Sequence, residues 1–590
     1  MSPKFNSQNQ NQVRNTKFIV ACSLIAVLAS ACSAAPSSAP AAPAAAPAAE
    51  APKAEQRPIV RSYDSNGAAP QATQAPAAEA PKPTESPKAE AAAPAAGAPA
   101  AAPRPITPQQ EEAKPGQPRQ IDNGRAPIEP TSVAPQPAPV DNTFRDYGVN
   151  PFVDAYRDHL STFALDVDTA SYAVSRNYIN GGSLPPYEAV RAEEFINYFQ
   201  QDYTPPTNGA FAIYADGAIS PFHQDGTHLI RVGVQGYVVS ERQRKPSVLT
   251  FVIDESGSME QGARMEQVKQ SLQMLVDRLG PDDSVAIVAF SDSARVVLNT
   301  TRGNDRNRIL DAIYTLRPTN GTNTESGLRL GYDLANQFFR PEANNRLVLA
   351  TDGVANQGVT DPEQILAGLG SWVRRDIYLT AIGFGQGNFN DDFLQRLADK
   401  GNGHYVYVDT IEEAHKQMVD NVVSTLQVIA KDAKVQVDFN GDVVQEYRLI
   451  GYEKRAIADA DFRNDSVDAG EMGAGHNTTA LYQVKLRANA RGKIATVNLR
   501  WQDPDNGQVN EISGDIGTGD IAGDYTQASP RYQMNAVVAE FAEILRKSPY
   551  STIGLGQLAR EAQRMARLLP RDNDVQEFAQ LVAQASRFAQ

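Results

Sequence analysis

The sequence predicts an α/β protein: a doubly wound, mostly parallel sheet covered by helices on both faces and inserted in a β-sandwich, with helical pieces at either end. Three observations carry that prediction. Between residues 247 and 426 short apolar runs alternate with helical periodicity, as a sheet buried on both faces requires. On either side of that stretch the pattern becomes alternating strands punctuated by Gly, Asn and Asp turns, so one sandwich is expected to draw strands from both flanks. From Ser33 to about Val140 the chain is dominated by Ala and Pro, which cannot bury a core.

At the N-terminus, Arg14 and Lys17 precede the apolar run Phe18 to Ala31. That run falls well short of the roughly 20 residues a spanning helix needs but suits a signal-peptide core, so residues 1–31 are assigned to a signal peptide. Ala29-Ser30-Ala31-Cys32 resembles a bacterial lipobox, which implies that Cys32 is lipidated and becomes the mature N-terminus. Ala29 stands where such motifs favour Leu, and Ala-Ser-Ala also suits an ordinary signal peptidase, which would give a secreted form. The expected location is extracytoplasmic, lipid-anchored at the cell envelope. Cys22 and Cys32 are the only cysteines, which excludes disulfides, thiol chemistry and a Cys-ligated metal from the mature body. Residues 32–141 read as a disordered Ala/Pro stalk, whose upper reach at about 3.1 Å per residue is roughly 340 Å.

Residues 142–205 read as an N-terminal helical region. Asp168 is expected to cap a helix from Thr169 to Ile179, and Pro185 to Phe199 to form an amphipathic helix with Phe195, Ile196 and Phe199 inward. Asp166-Val167-Asp168 also resembles the Asp-x-Asp-x-Thr motif of haloacid-dehalogenase phosphotransferases, which would make Asp166 a nucleophile and Asp168 its acid/base. Ala170 occupies the place of the motif's Thr, so that match is broken. Residues 206–246 supply strands of the sandwich, Ala210 to Ala218 and His228 to Val239.

The inserted domain, residues 247–426, opens with Val248 to Ile253, a buried central strand that ends in Asp254 and is followed by Ser256 and Ser258. A helix (Ala263 to Leu279), a strand (Asp283 to Leu298) and a helix (Asp305 to Leu316) come next. A polar loop, Asn320-Gly321-Thr322-Asn323-Thr324, precedes helical periodicity from Glu325 to Phe339. A second apolar strand, Leu347 to Thr351, ends in Asp352, and strands at Ile377 to Gly383 and His404 to Val408 complete the pattern. In open α/β sheets the carboxyl ends of the strands are where ligands bind. Asp254 or Ser258 could merely cap the following helix, but capping accounts for one loop and not for three.

With these residues in place, the segment resembles a von Willebrand factor A (VWA) domain. All five positions of that family's metal-ion-dependent adhesion site have counterparts: Asp254, Ser256, Ser258, Thr322 and Asp352. The resemblance implies that Ser256, Ser258 and Thr322 bind Mg²⁺ directly (Mn²⁺ or Ca²⁺ in its place), that Asp254 and Asp352 act largely through water, and that one coordination position is left for a partner's Asp or Glu. The chemistry is coherent: magnesium demands oxygen ligands in near-octahedral geometry, and neutral hydroxyls leave it electrophilic toward an incoming anion.

Residues 427–525 read as a C-terminal β region, with strands at Ala433 to Phe439, Val443 to Tyr452, Thr479 to Ala488 and Ala495 to Trp501. Residues 526–590 read as C-terminal helices, Tyr532 to Lys547, Thr552 to Leu569 and Asp574 to Phe588. Leu184 to Phe199, Tyr447 to Glu453, Gly473 to His476 and Thr479 to Tyr482 resemble the modules that accompany VWA domains in a family of bacterial envelope lipoproteins. Asp461, Asp465, Asp468 and Glu471 crowd one polar loop and could take calcium, although their spacing misses the EF-hand pattern.

No metalloprotease His spacing, Gly-x-Ser-x-Gly elbow or phosphate-binding Gly/Lys loop is present. Acidic residues outnumber basic ones 69 to 55, a net charge of −14, which disfavours nucleic acid and anionic membrane surfaces as partners. The expected function is a cation-dependent protein-binding module without enzymatic activity or a small-molecule substrate. The alternatives are a VWA subunit of an energy-driven assembly, against which the signal peptide counts, and a phosphohydrolase using Asp166 and Asp168.

Overall fold

The computed structural model describes residues 58–62, 142–165, 168–319, 321–353, 357–369, 376–385 and 389–588. The signal segment, Cys32, most of the expected stalk, Asp166 and Asn320 lie outside them.

The inserted domain is built on a six-stranded sheet: β1 (Ser247–Asp254), β2 (Ser284–Phe290), β3 (Ala294–Arg302), β4 (Asn344–Thr351), β5 (Ile377–Phe384) and β6 (Tyr405–Val408). Their order is β6-β5-β4-β1-β2-β3, and every pairing is parallel except β2 with β3. All eight residues of β1 are buried, as the apolar run demands of a central strand covered on both faces. The single strand expected over Asp283 to Leu298 is instead the antiparallel β2–β3 hairpin. The polar triplet Ser291-Asp292-Ser293 turns the chain at a point where hydrophobicity alone reads straight through.

Helices cover both faces. Arg264–Val276 and Arg306–Thr315 lie on one side, with Val268, Leu272 and Ile309 in a cluster with Leu249, Phe251 and Ile287. Thr324–Gln337 lies on the other, packing Leu328 and Tyr332 with Val252 and Leu347. That helix approaches the sheet closely because it presents glycines four residues apart: a Cβ on Gly327 would sit 2.6 Å from Phe290 Cδ1, and one on Gly331 2.5 Å from Val252 Cγ2. The expected helix from Ala263 to Leu279 starts later, at Arg264, after a 3₁₀ segment Gly257–Ala263.

The sandwich draws on both flanks. One sheet runs Val60–Ser62, Val509–Gly517, Lys493–Gln502, Val428–Phe439, Gly470–Gly473, with Leu160–Ala164 also on Val428–Phe439. The other runs Ile521–Ala522, Phe211–Ile219, His228–Gly236, Asn477–Leu486, Val444–Ile450, Val153–Asp154. His228–Gly236 precedes the inserted domain and Asn477–Leu486 follows it, yet they pair antiparallel with Gly233 opposite Thr479. Inward residues of both sheets, among them Ile213, Val232, Tyr482, Val435 and Val497, share one core. Val60–Ser62 corrects the reading of residues 32–141 as uniformly disordered, because this piece of the expected stalk adds an edge strand, Val60 opposite Gly514.

The flanking helices form a joint core. Phe195, Ile196 and Phe199 face inward as expected, but against Phe541 and Phe578 of the C-terminal helices Pro530–Leu545 and Asn573–Phe588. The expected helix Pro185 to Phe199 is broken into a 3₁₀ turn Tyr187–Ala189 and the helix Ala192–Tyr198. Arg191 between them is extended and reaches Asp391 of the inserted domain at 2.7 Å. Asp168 does not cap Ala170–Asn180; its carboxylate accepts from the Tyr405 backbone N–H (2.8 Å) and from Arg455 (2.9 Å), fastening the N-terminal segment to the inserted domain and the sandwich.

Candidate metal centre

The sheet order places its topological switch at β1: the chain leaves toward β2 and returns on the other side as β4. Ile253 pairs with Ala350, so Asp254 and Asp352 emerge from adjacent strands at nearly the same level of the carboxyl edge. This is the crevice where doubly wound sheets bind ligands.

Asp254 is fully buried. Its carboxylate accepts from the Ser256 backbone N–H at 2.7 Å and from the Thr351 hydroxyl. Both are neutral donors. Burial, with the charge of Asp352 added, pushes the Asp254 carboxyl up to about 7. Ser256 and Ser258 lie with their hydroxyl oxygens 2.9 Å apart. Ser256 is buried, Ser258 is half-buried and Gly257 is exposed, so the cluster opens to solvent on the Ser258 side.

Thr322 sits on a loop tied down from both directions. The Thr319 N–H donates to the Glu255 carbonyl (2.6 Å), the Asn323 N–H to the Ser291 carbonyl (2.8 Å), and the Gln357 N–H to the Thr322 carbonyl (3.2 Å). The side chain of Asn323 also caps the following helix by accepting from the Ser326 N–H at 3.0 Å. The three loops read from the sequence thus meet at one sheet edge, the Thr322 loop joined to the β1 loop through Glu255 and to the loop after Asp352 through Gln357. The capping alternative fails locally, because no side chain caps the helix Arg264–Val276, whose N-cap is Ala263.

Two contributors were hidden in the sequence. Arg264 is buried and donates from Nη1 to Asp352 Oδ2 at 2.7 Å and to the Ser258 carbonyl at 3.2 Å. Glu255, the residue between the expected ligands, is buried and accepts from Arg295 Nη2 at 2.7 Å and from the Arg317 N–H at 2.8 Å, which braces the β1 loop against the Thr322 loop. A basic residue at the start of a helical pattern reads as a solvated face; no spacing signals that Arg264 turns inward.

The donor set fits a small hard cation: hydroxyls at Ser256, Ser258 and Thr322, and two buried carboxylates of which Asp254 meets only neutral donors among the described residues. Nowhere among those residues, this sheet edge included, does a group of three or more His, Cys, Asp or Glu side chains converge to hold a metal ion, so the candidate set here is one of hydroxyls with two carboxylates. The Asp461 to Glu471 loop is disposed otherwise, with Asp465 paired to Arg500 at 2.7 Å and Asp461 accepting from Asn464 at 2.9 Å. His476 packs edge-on against His404, ring centroids 5.8 Å apart, and burial lowers its pKa to about 4 with the charge of Arg346 adding to the effect.

Fold and site together define a VWA domain set between the strands of a β-sandwich. Family models agree: "von Willebrand factor type A domain" matches residues 249–421, "von Willebrand factor" residues 138–231, and "Uncharacterized protein YfbK, C-terminal" residues 424–588. The uncharacterized protein YfbK of Escherichia coli is 33% identical over 434 residues, covering 69% of this chain and 74% of that one. The chain belongs to this family of VWA-containing bacterial proteins. The uncharacterized protein sll0103 of Synechocystis is 28% identical over 298 residues, 48% of this chain and 68% of that one. Among solved structures, the von Willebrand factor type A protein from Catenulispora acidiphila matches at a TM-score of 0.39 and 16% identity, covering 63% of this chain and 89% of that one. VWA domains typically mediate protein–protein interaction or adhesion.

Proposed function

We propose that this chain is a divalent-cation-dependent protein-binding module of the bacterial cell envelope that grips an Asp or Glu side chain of a protein partner. One observation carries the reading: two buried carboxylates and a pair of serine hydroxyls meet at the switch point of the sheet, and one of the carboxylates meets only neutral donors among the described residues. Ser256, Ser258 and Thr322 would hold the cation, with Asp254 and Asp352 orienting its bound water. A bound Mg²⁺, or Mn²⁺ or Ca²⁺ in its place, would supply an electrophilic position for an anionic oxygen. The half-buried Ser258 and exposed Gly257 leave the side from which such an oxygen can approach. The protein is read as a binder and not as an enzyme, and Asp168, already engaged by Tyr405 and Arg455, is a structural tie.

The envelope location rests on the apolar run Phe18 to Ala31 and the Ala29-Ser30-Ala31-Cys32 motif, with lipid carried on Cys32. Crosslinking pull-down from whole cells, with and without EDTA and with Asp254→Ala, tests the binding reading. Partner capture is expected to be lost with the chelator and in the variant. Capture indifferent to both would overturn it. Cys32→Ala is expected to release the protein from the membrane fraction; retention would remove the lipid anchor.

A further inference from the structure

We propose that Arg264 is a built-in positive charge of the metal centre, one that lowers its affinity for the cation and raises its attraction for the partner's carboxylate. The inference rests on the metal-site reading above and concerns only what Arg264 adds to it. Arg264 is 3% exposed, and its guanidinium lies 2.7 Å from Asp352 Oδ2 and 3.2 Å from the Ser258 carbonyl, and so touches two of the expected metal-binding positions.

The chain departs from easy geometry at two places to put it there. Ala263, immediately before Arg264, takes the left-handed conformation (φ 59°, ψ 26°), which a residue with a Cβ adopts at a cost. On the facing loop Gly385 has φ +79°, and a Cβ built on it would lie 2.0 Å from Arg264 Nε. Only glycine leaves room there for the guanidinium. The Gly385 carbonyl is itself held by the Tyr407 hydroxyl at 2.8 Å. A buried ion pair adds little to stability over an apolar pair of the same shape, so stability alone does not account for this arrangement.

Charge counting gives it a role. Two carboxylates, Asp254 and Asp352, balance the charge of a divalent cation, so the position its hydroxyl ligands leave electrophilic carries no net charge to draw an anion from a distance. With Arg264 against Asp352 the loaded site keeps one positive charge in excess, which is what capture of a partner carboxylate needs. The same charge repels the cation. Removing it therefore moves the two affinities in opposite directions, whereas a purely structural arginine would move neither or lower both.

The test uses the full-length chain, with Mn²⁺ titrated into wild type, Arg264→Gln, Arg264→Lys and Gly385→Ala by calorimetry. Arg264→Gln is expected to bind Mn²⁺ at least about tenfold more tightly than wild type. Acetate binding to the Mn²⁺-loaded protein, followed by water-proton relaxation, is expected to weaken by about threefold or more in that variant and to stay near wild type in Arg264→Lys. Gly385→Ala, which crowds the guanidinium out without removing it, is expected to shift Mn²⁺ affinity in the same direction, and decides the matter if Arg264→Gln does not fold. Wild type that takes up no Mn²⁺ would sink the metal-site reading itself. Wild type that binds Mn²⁺ with an affinity unchanged or weakened in the foldable variants would overturn the role of Arg264 alone.

Discussion

Two buried carboxylate clusters in this molecule are answered in different ways. At the seam between the N-terminal helices and the VWA domain, Arg176 reaches Asp409 and Glu413, each at 2.8 Å, and Tyr198 and Gln417 complete the shell of Glu413. Burial opposes ionisation of Glu413, but Arg176 and then Lys416 outweigh it and hold the carboxyl below its usual value. At the carboxyl edge of the sheet, Asp352 has Arg264 but Asp254 meets only neutral donors of Ser256 and Thr351 among the described residues, and its carboxyl is pushed up to about 7. The same contrast recurs within one helix. Glu543 is buried but held low by Arg546 and Arg448, whereas Glu540, three residues earlier, accepts from the neutral donors Ser551, Thr552 and Ile553 and is pushed up to about 7 by burial and the charge of Glu543. Glu413 and Glu543, whose charge is met by arginines of the chain, are structural. Glu540, held by neutral donors, is a titrating liability, and the proposal above reads Asp254 as a place kept, beside Asp352, for a cation that comes and goes.

The largest effect belongs to the seam. Arg176→Met leaves Asp409 and Glu413 buried without their cation and is expected to cost about 3–5 kcal/mol in denaturant unfolding. A cost under about 1 kcal/mol would mean that the seam is not a structural charge cluster.

Glu540→Gln comes next and separates the titrating case. Because the folded carboxyl is raised toward 7 from an ordinary value near 4.5, the folded state holds its proton more tightly, and the contribution to stability is lost as pH rises between those values. The variant is expected to exceed wild type by about 3 kcal/mol at pH 8 and to match it near pH 4. Equal stability at both pH values would contradict the contrast between Glu540 and Glu543.

At the sheet edge, Ser256→Ala and Thr322→Ala are each expected to weaken Mg²⁺ or Mn²⁺ binding by roughly 10–100-fold in calorimetric titration while leaving the metal-free melting temperature nearly unchanged. Loss of folding with no change in cation affinity would make them packing residues. The smallest effect is Thr351→Val, which removes one hydroxyl donor from Asp254 and is expected to cost about 1 kcal/mol of stability. No cost would show that this hydrogen bond contributes nothing to Asp254's environment.

The contrast also marks what the sequence could reveal. Val248 to Ile253 was legible as a central strand because buried parallel strands are continuously apolar, and so was the position of Asp254, Ser256, Ser258, Thr322 and Asp352 on loops that follow such strands or precede a helix, while their role as a cation site rests on the VWA resemblance. The sandwich was legible in outline, since alternation marks antiparallel strands wherever they pair. The partners of the buried charges were not. Arg264 is 88 residues from Asp352, Arg176 is 233 from Asp409 and Asp168 is 237 from Tyr405, separations at which neither periodicity nor spacing says which residues meet. Val509–Gly517 was missed because Asn510, Glu511, Ser513 and Asp515 give it the composition of a loop; the pairing with Lys493–Gln502 makes it a strand. Val60–Ser62 was missed because it lies within an Ala/Pro-rich tract and is a strand only by pairing with Val509–Gly517.

The central claim is that three loops build one exchangeable cation site around Asp254. Calorimetric titration of the full-length chain with Mn²⁺ tests it most directly, run on wild type and Asp254→Ala alongside their metal-free melting curves. One equivalent of Mn²⁺ bound by wild type, none by the variant, and a metal-free melting temperature equal to or above wild type in the variant is the expected result. No uptake by wild type, or uptake unchanged in Asp254→Ala, would contradict the claim.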